Sequence, residues 1–160
     1  MNPTDPDPRL AITYDESVRA WALQSSVLDE LRNRAGILLS AASVASAFLG
    51  ATALEGEHDH FSALSIVALA LFGLVVALCV YVLWPSKGWT FVHNGKALIE
   101  TYVDKNQSID AMRKQMTLDN TQYRVDNKAK IDCRFLGFRL ACIGLGADII
   151  LWLIELGTRR

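Results

Sequence analysis

Two apolar runs without a single charge, Gly36–Leu54 and Phe61–Trp84, dominate the pattern of this chain, and a short polar tip, Glu55–His60 (EGEHDH), separates them. At a rise of about 1.5 Å per residue, each run can cross a hydrocarbon core of about 30 Å as a helix. Lipid offers unpaired backbone N–H and C=O groups no partner, so the runs must be helical. The pattern predicts a transmembrane hairpin over 35–84.

A third run, Phe135–Leu156, is interrupted by Arg139, Asp148 and Glu155. Helical side chains lean toward the N-terminus, so the head of Arg139 can snorkel to the near interface. Glu155 stands near the far end, within expected reach of water. Asp148 stands near the middle and can do neither, and a carboxylate there costs about 3 kcal/mol on insertion scales. The rest of the run (LACIGLG, IILWLI) is apolar enough to insert beside two strong spans. A third span over 135–156 is therefore expected, with a re-entrant or peripheral helix as the alternative, and 157–160 is left as a tail.

Around these runs the chain is polar. Residues 1–12 hold three of the four prolines and two aspartates, and read as a disordered arm. Thr13-Tyr14-Asp15-Glu16 fits a capping box that opens an amphipathic helix over 13–34, closed by Arg32 and Arg34. Val18, Trp21, Val27, Leu28 and Leu31 spread over its apolar side. This helix either packs against the other polar part or lies among headgroups with Trp21 as anchor. Few basic residues on its polar face favour packing. After the hairpin, 87–94 is an irregular link, and 85–134 as a whole reads as a helical stalk. The stalk breaks near Asn106-Gln107-Ser108, with Ser108 as a cap. It is expected to lie antiparallel to, or bundled with, the 13–34 helix. Its narrow apolar stripe suggests self-association or a soluble partner held through 96–130.

Charge sets the orientation. Arg32 and Arg34 precede the hairpin, and Lys96, Lys105, Arg113, Lys114, Arg124, Lys128, Lys130 and Arg134 follow it, whereas the tip has no Lys or Arg. The positive-inside rule puts the N-terminus and stalk in the cytoplasm, with the tip and C-terminus outside a plasma (inner) membrane. Arg34, Arg139, Trp84 and Trp152 are the expected interfacial anchors. The first span would direct insertion, since the polar N-terminal segment carries no signal-peptide core.

Composition narrows the function. The 160 residues suit one compact unit, all-α and integral to the membrane: three transmembrane helices with a cytoplasmic helical bundle. A net charge of −1 speaks against a nucleic-acid partner. The three cysteines, Cys79, Cys133 and Cys142, read as small apolar residues rather than a disulfide frame or metal set. His58-Asp59-His60 in the tip reads as a solvated turn, not a metal site. No nucleophile motif, phosphate-binding loop or metalloprotease helix occurs, so neither an enzyme nor a cofactor is expected.

The residues that carry physics are small or polar and lie inside the spans. Gly137, Ala141, Gly144, Asp148 and Glu155 share one helix face, with Leu140, Ile143, Ile150 and Leu153 opposite for lipid. The first span offers Gly36, Ser40, Ser43, Ala47 and Gly50, with Ser46 beside them, and the second Ala63, Ala70, Gly73 and Ala77. Small faces let helices approach closely in lipid. Asp148 is expected to face inward and pair with Ser43 or Ser46. It serves either as glue within a protomer, or as a subunit contact or pore lining.

The order of these segments resembles the Pycsar transmembrane effectors and the SLATT-like group of small bacterial membrane proteins. Arg34-Ala35-Gly36-Ile37-Leu38-Leu39 is similar to the entry into their first span, and the stalk running into Arg134-Phe135-Leu136 is similar to the approach to their last. The resemblance implies a homo-oligomeric effector of antiphage defence that clusters in the bilayer and impairs it. The alternatives are a membrane scaffold or accessory subunit that binds a cytoplasmic protein, and an ion channel or transporter subunit using Asp148.

Overall fold

The computed structural model describes residues 6–54, 62–85, 88–91 and 93–158. The tip with His58, Asp59 and His60, together with Lys87, Arg159 and Arg160, lies outside the described residues. Helix α1 runs Pro8–Leu54, α2 Ala63–Leu83 and α3 Gly95–Leu98, the last continuing as a π-helical turn, Ile99–Val103. Helix α4 runs Ile109–Thr158. There is no strand among the described residues. α1, α2 and α4 are each long and apolar enough to cross a membrane.

Three expected boundaries do not hold. The first helix starts at Pro8, not Thr13: Asp7 Oδ1 accepts the N–H of Arg9 at 2.9 Å, and proline follows in the first helical position, where its missing N–H costs nothing. Thr13 is already inside the helix, donating to the carbonyl of Leu10 at 3.0 Å. Nor does α1 close at Arg34. Trp21, Leu28, Ala35 and Ala42, seven residues apart, are all buried, with Ser17 one turn before them and Leu31 among them. A seam with that period passes from the polar into the apolar half, and nothing in it breaks a helix. The same continuity joins the stalk to the last span in α4. The expected break before α4 is present. Asn106 has φ 51°, and Ser108 Oγ accepts the N–H of Ala111 at 3.2 Å.

The chain divides into two compact units where its length suggested one: 1–29 with 86–131, and 30–85 with 132–160. In the first, bonded pairs Asp7–Asp110, Ser17–Asn120 and Gln24–Arg124 rise together in number. The helices there are thus bundled, one of the two expected arrangements, and run parallel rather than antiparallel. Trp21 is inside this unit and is no headgroup anchor: its Nε1 donates to Thr90 O at 2.9 Å, and its ring meets His93 and Tyr123 at 5.1 and 6.0 Å. Asn127 Nδ2 also donates to Thr90 O, at 3.2 Å, and Lys130 Nζ donates to Gly88 O at 2.5 Å. The irregular link thereby finds side-chain partners for its backbone carbonyls.

The second unit is a three-helix bundle. Three clusters succeed one another along it: Leu31, Ala35 and Val82; then Ala42, Val75, Cys79 and Ala141; then Ala68 and Trp152. Numbers in α1 and α4 rise together while those in α2 fall, so α2 is antiparallel to both. Ile37, Val44, Phe48, Leu140, Ile143 and Ile150 face outward, over half exposed in most cases. Apolar surface around a bundle that also buries acids suits lipid, not water.

Candidate functional site

The chemistry of the second unit is concentrated on the inner face of α4. Asp148 is fully buried and accepts a hydrogen bond from Ser46 Oγ of α1 at 2.9 Å. One turn on, Trp152 Nε1 faces the same carboxyl without reaching hydrogen-bond geometry. Asp148 Oδ1 and the indole N–H are thus both buried without a partner of normal geometry. Two turns on from Asp148, Glu155 is 2% exposed and accepts from Ser65 Oγ of α2 at 3.2 Å. Ser65 in turn meets the N-cap of α2, Ser62, at 3.2 Å between hydroxyls. Each acid therefore ties α4 to a different helix, through the shortest hydroxyl side chain available. In lipid such contacts are worth about 0.6 kcal/mol on average and about 1.7 at most.

At the other end of α2 a cation does similar work. Arg134 is buried; its guanidinium donates to the carbonyls of Val82 and Trp84, the latter at 2.8 Å, and lies 5.8 Å from the centre of the Tyr81 ring. The last carbonyls of a helix lack intrahelical donors and carry the negative end of its dipole. Arg134 satisfies two such carbonyls with the preferred sign of charge. Between Arg134 and Asp148 the core is apolar, closed by Ala42, Val75, Cys79 and Ala141.

Close approach is set by glycine. A Cβ on Gly144 would stand 2.8 Å from Val75 Cγ2, and one on Gly137 3.2 Å from the Tyr81 ring, so these two residues allow α4 to lie directly on α2. A Cβ on Gly146 would meet nothing within 4 Å.

Several expected roles change here. Ser46, not Ser43, is the partner of Asp148. Ser43 is exposed and donates back to the carbonyl of Leu39 at 2.9 Å. The inner face of α1 is Ala35, Ala42, Ser46 and Gly50, and the stripe of Gly36, Ser40, Ser43 and Ala47 lies outside the core. Glu155 does not reach water, because α2 supplies Ser65 and closes over it. Trp152 is 1% exposed and so is no interfacial anchor: small neighbours, Gly50 and Ala68, leave a slot that its ring fills. Trp84 and Arg139 are exposed, and Arg34, also exposed, pairs with Glu30 at 2.7 Å.

Arg134, Asn120 and Asn127 are also buried, and hydrophobic patterning does not mark them. Their signal is a spacing: Asn120, Asn127, Arg134, Ala141, Asp148 and Glu155 fall every seventh residue, and all are buried. Seven residues return a packed helix to nearly the same face. A polar residue repeated at that interval marks a buried seam even where apolar periodicity is weak.

Among the described residues the chain is all-helical, with three helices long and apolar enough to cross a membrane, which is consistent with a multi-pass membrane protein. No protein-family model, no curated protein and no solved structure matches it.

Proposed function

We propose that the chain is an inner-membrane protein with its N-terminus and 96–130 in the cytoplasm and its C-terminus outside. In this reading it self-associates in the bilayer and impairs it, as an effector of bacterial antiphage defence and not as an enzyme. The observation that carries self-association is the position of the small residues. Gly36, Ser40, Ser43 and Ala47 on α1, and Ala63, Ala70, Gly73 and Ala77 on α2, point away from the core. The protomer does not use these stripes, and in lipid they are where a second copy can pack most closely. The defence role rests on the resemblance in segment order. Buried and bonded within the protomer, Asp148 acts here as internal glue, and an Asp148-lined pore would require the three helices to part.

Induced expression with a membrane-potential dye tests this reading, together with the native mass of the purified chain in detergent. Depolarisation with growth arrest, and a mass above one protomer that Ala47→Leu and Gly73→Leu reduce, are expected. A monomer whose expression is harmless would overturn it. A second reading, a scaffold that binds a cytoplasmic protein through 96–130, draws on the exposed apolar side chains Ile99, Val103, Leu118 and Val125. It predicts harmless expression and a co-purifying partner.

A further inference from the structure

The first unit contains a cavity of 680 Å³, between the α3–π-turn segment and the start of α4, that the membrane reading does not use. Its volume falls in the usual range for small-molecule sites. Three aromatic rings line it: His93, Tyr102 and Tyr123. His93 and Tyr123 are in mutual contact, with centroids 5.8 Å apart, whereas Tyr102 makes no ring contact among the described residues. The π-helical turn holds Tyr102, and such turns recur at functional sites.

The polar groups of the cavity are incompletely matched. The Tyr102 ring is buried, while its hydroxyl is not enclosed and makes no hydrogen bond among the described residues, so it is open to a ligand. Asp119 accepts from Gln115 Nε2 at 2.9 Å through one oxygen only. Lys114 also lines the cavity, and no ion pair joins it to Asp119 among the described residues. Burial first, and then the nearby Asp119 charge, push the Tyr102 phenol above its ordinary range, so phenol and carboxylate share one electrostatic space. By contrast, His93 is fixed from behind. Asn120 Nδ2 donates to Ser17 Oγ at 2.9 Å, and Ser17 Oγ donates to Tyr14 O at 2.7 Å. Asn120 Oδ1 therefore accepts from His93 Nε2 at 2.6 Å, which sets the ring against the cavity wall.

A cavity that keeps opposite charges apart, between aromatic rings, is complementary to a molecule carrying the opposite charges and a ring of its own. We propose that it binds a small zwitterion of the aromatic amino-acid class, with the ammonium at Asp119, the carboxylate at Lys114 and the Tyr102 hydroxyl, and the ring among His93, Tyr102 and Tyr123. The site stands independently of whether the spans assemble.

Calorimetric titration of the full chain in detergent with L-phenylalanine, phenethylammonium and 3-phenylpropionate tests it. L-Phenylalanine is expected to bind saturably and the most tightly of the three. Asp119→Asn and Lys114→Gln should each weaken it about tenfold. Tyr102→Leu should weaken all three ligands about three- to tenfold. Phenethylammonium, lacking the carboxylate, should ignore Lys114→Gln, and 3-phenylpropionate, lacking the ammonium, should ignore Asp119→Asn. Asp126→Asn, an exposed carboxylate outside the cavity lining, is the control and should change nothing. Absence of saturable L-phenylalanine binding, equal affinity for all three ligands, or indifference of L-phenylalanine to both charge variants would each overturn the proposal. Far-UV circular dichroism excludes unfolding as the cause of a loss.

Discussion

Gly144 and Gly146 stand two residues apart on α4, at nearly the same depth, and meet opposite surroundings. Replacing either with alanine removes the same glycine from a helix interior, a gain of about 1 kcal/mol in water. That gain cancels when the two variants are compared, and the difference isolates packing. At Gly146 the new methyl group enters open space. At Gly144 it would come within 2.8 Å of Val75 Cγ2, and valine, branched at Cβ, has few rotamers by which to retreat. Overpacking of this kind costs about 1–3 kcal/mol, so Gly144→Ala should be less stable than Gly146→Ala by that amount. Gly144→Leu should be worse still. The assay is reversible unfolding of the purified chain in mixed micelles, titrated with a denaturing detergent and followed by circular dichroism. A difference of 1.4 kcal/mol is a tenfold change in the folded-to-unfolded ratio. If Gly144→Ala and Gly146→Ala unfold together, α4 does not lie on α2 through Gly144, and the close helix crossing is wrong.

Other consequences can be checked on the same preparation. The cycle of Ser46→Ala, Asp148→Leu and the double variant should give a coupling of about 0.6–1.7 kcal/mol in unfolding, whereas Ser43→Ala should show none with Asp148→Leu. Asp148→Asn should retain most of the stability, because an amide can still accept from Ser46 Oγ. Arg134→Leu leaves the carbonyls of Val82 and Trp84 without their donor and should cost about 2–4 kcal/mol, with Arg134→Lys intermediate because a single ammonium replaces a two-pronged contact. Tyr102 should ionise later than an ordinary phenol in a spectrophotometric titration near 295 nm, and Tyr102→Phe should remove that late component. Since its folded-state value is raised, this residue's contribution is fully present below the ordinary phenol value. It is lost as pH rises through the folded-state value. Asp7 is held below the usual carboxylate range by its hydrogen bonds to Arg9. Its capping contribution should therefore persist above the ordinary value and disappear as pH falls through the lowered one, read as faster amide exchange at the start of α1.

Much of the second unit was legible in the chain. Uncharged runs long enough to span admit only helices, and the inner face of α4 could be read because Gly137, Ala141, Gly144, Asp148 and Glu155 differ so plainly from Leu140, Ile143 and Ile150 opposite. The inner face of α1 could not be read the same way. Gly36, Ser40, Ser43 and Ala47 look as suited to close contact as Ala35, Ala42, Ser46 and Gly50 do, and residue size alone does not say which stripe meets α2 and α4. That choice falls to the neighbours. Asp148 needs a hydroxyl at its own level, and Trp152 needs a gap where Gly50 and Ala68 leave one. The same reason explains Glu155, whose fate depended on a serine ninety positions earlier in the chain.

The first unit shows the converse. Its apolar stripe is thin, so periodicity in hydrophobicity gave little, and its packing rests on polar side chains whose partners are remote: Asn120 on Ser17, Trp21 and Asn127 on one carbonyl of the link. Sequence alone determined that this chain is helical and carries runs long and apolar enough to span, because those properties follow from local composition and from what lipid refuses. Only the tertiary structure decided which acids are enclosed, which glycines are crowded and where a cavity opens. Each of these is a relation between residues that covalent order leaves far apart.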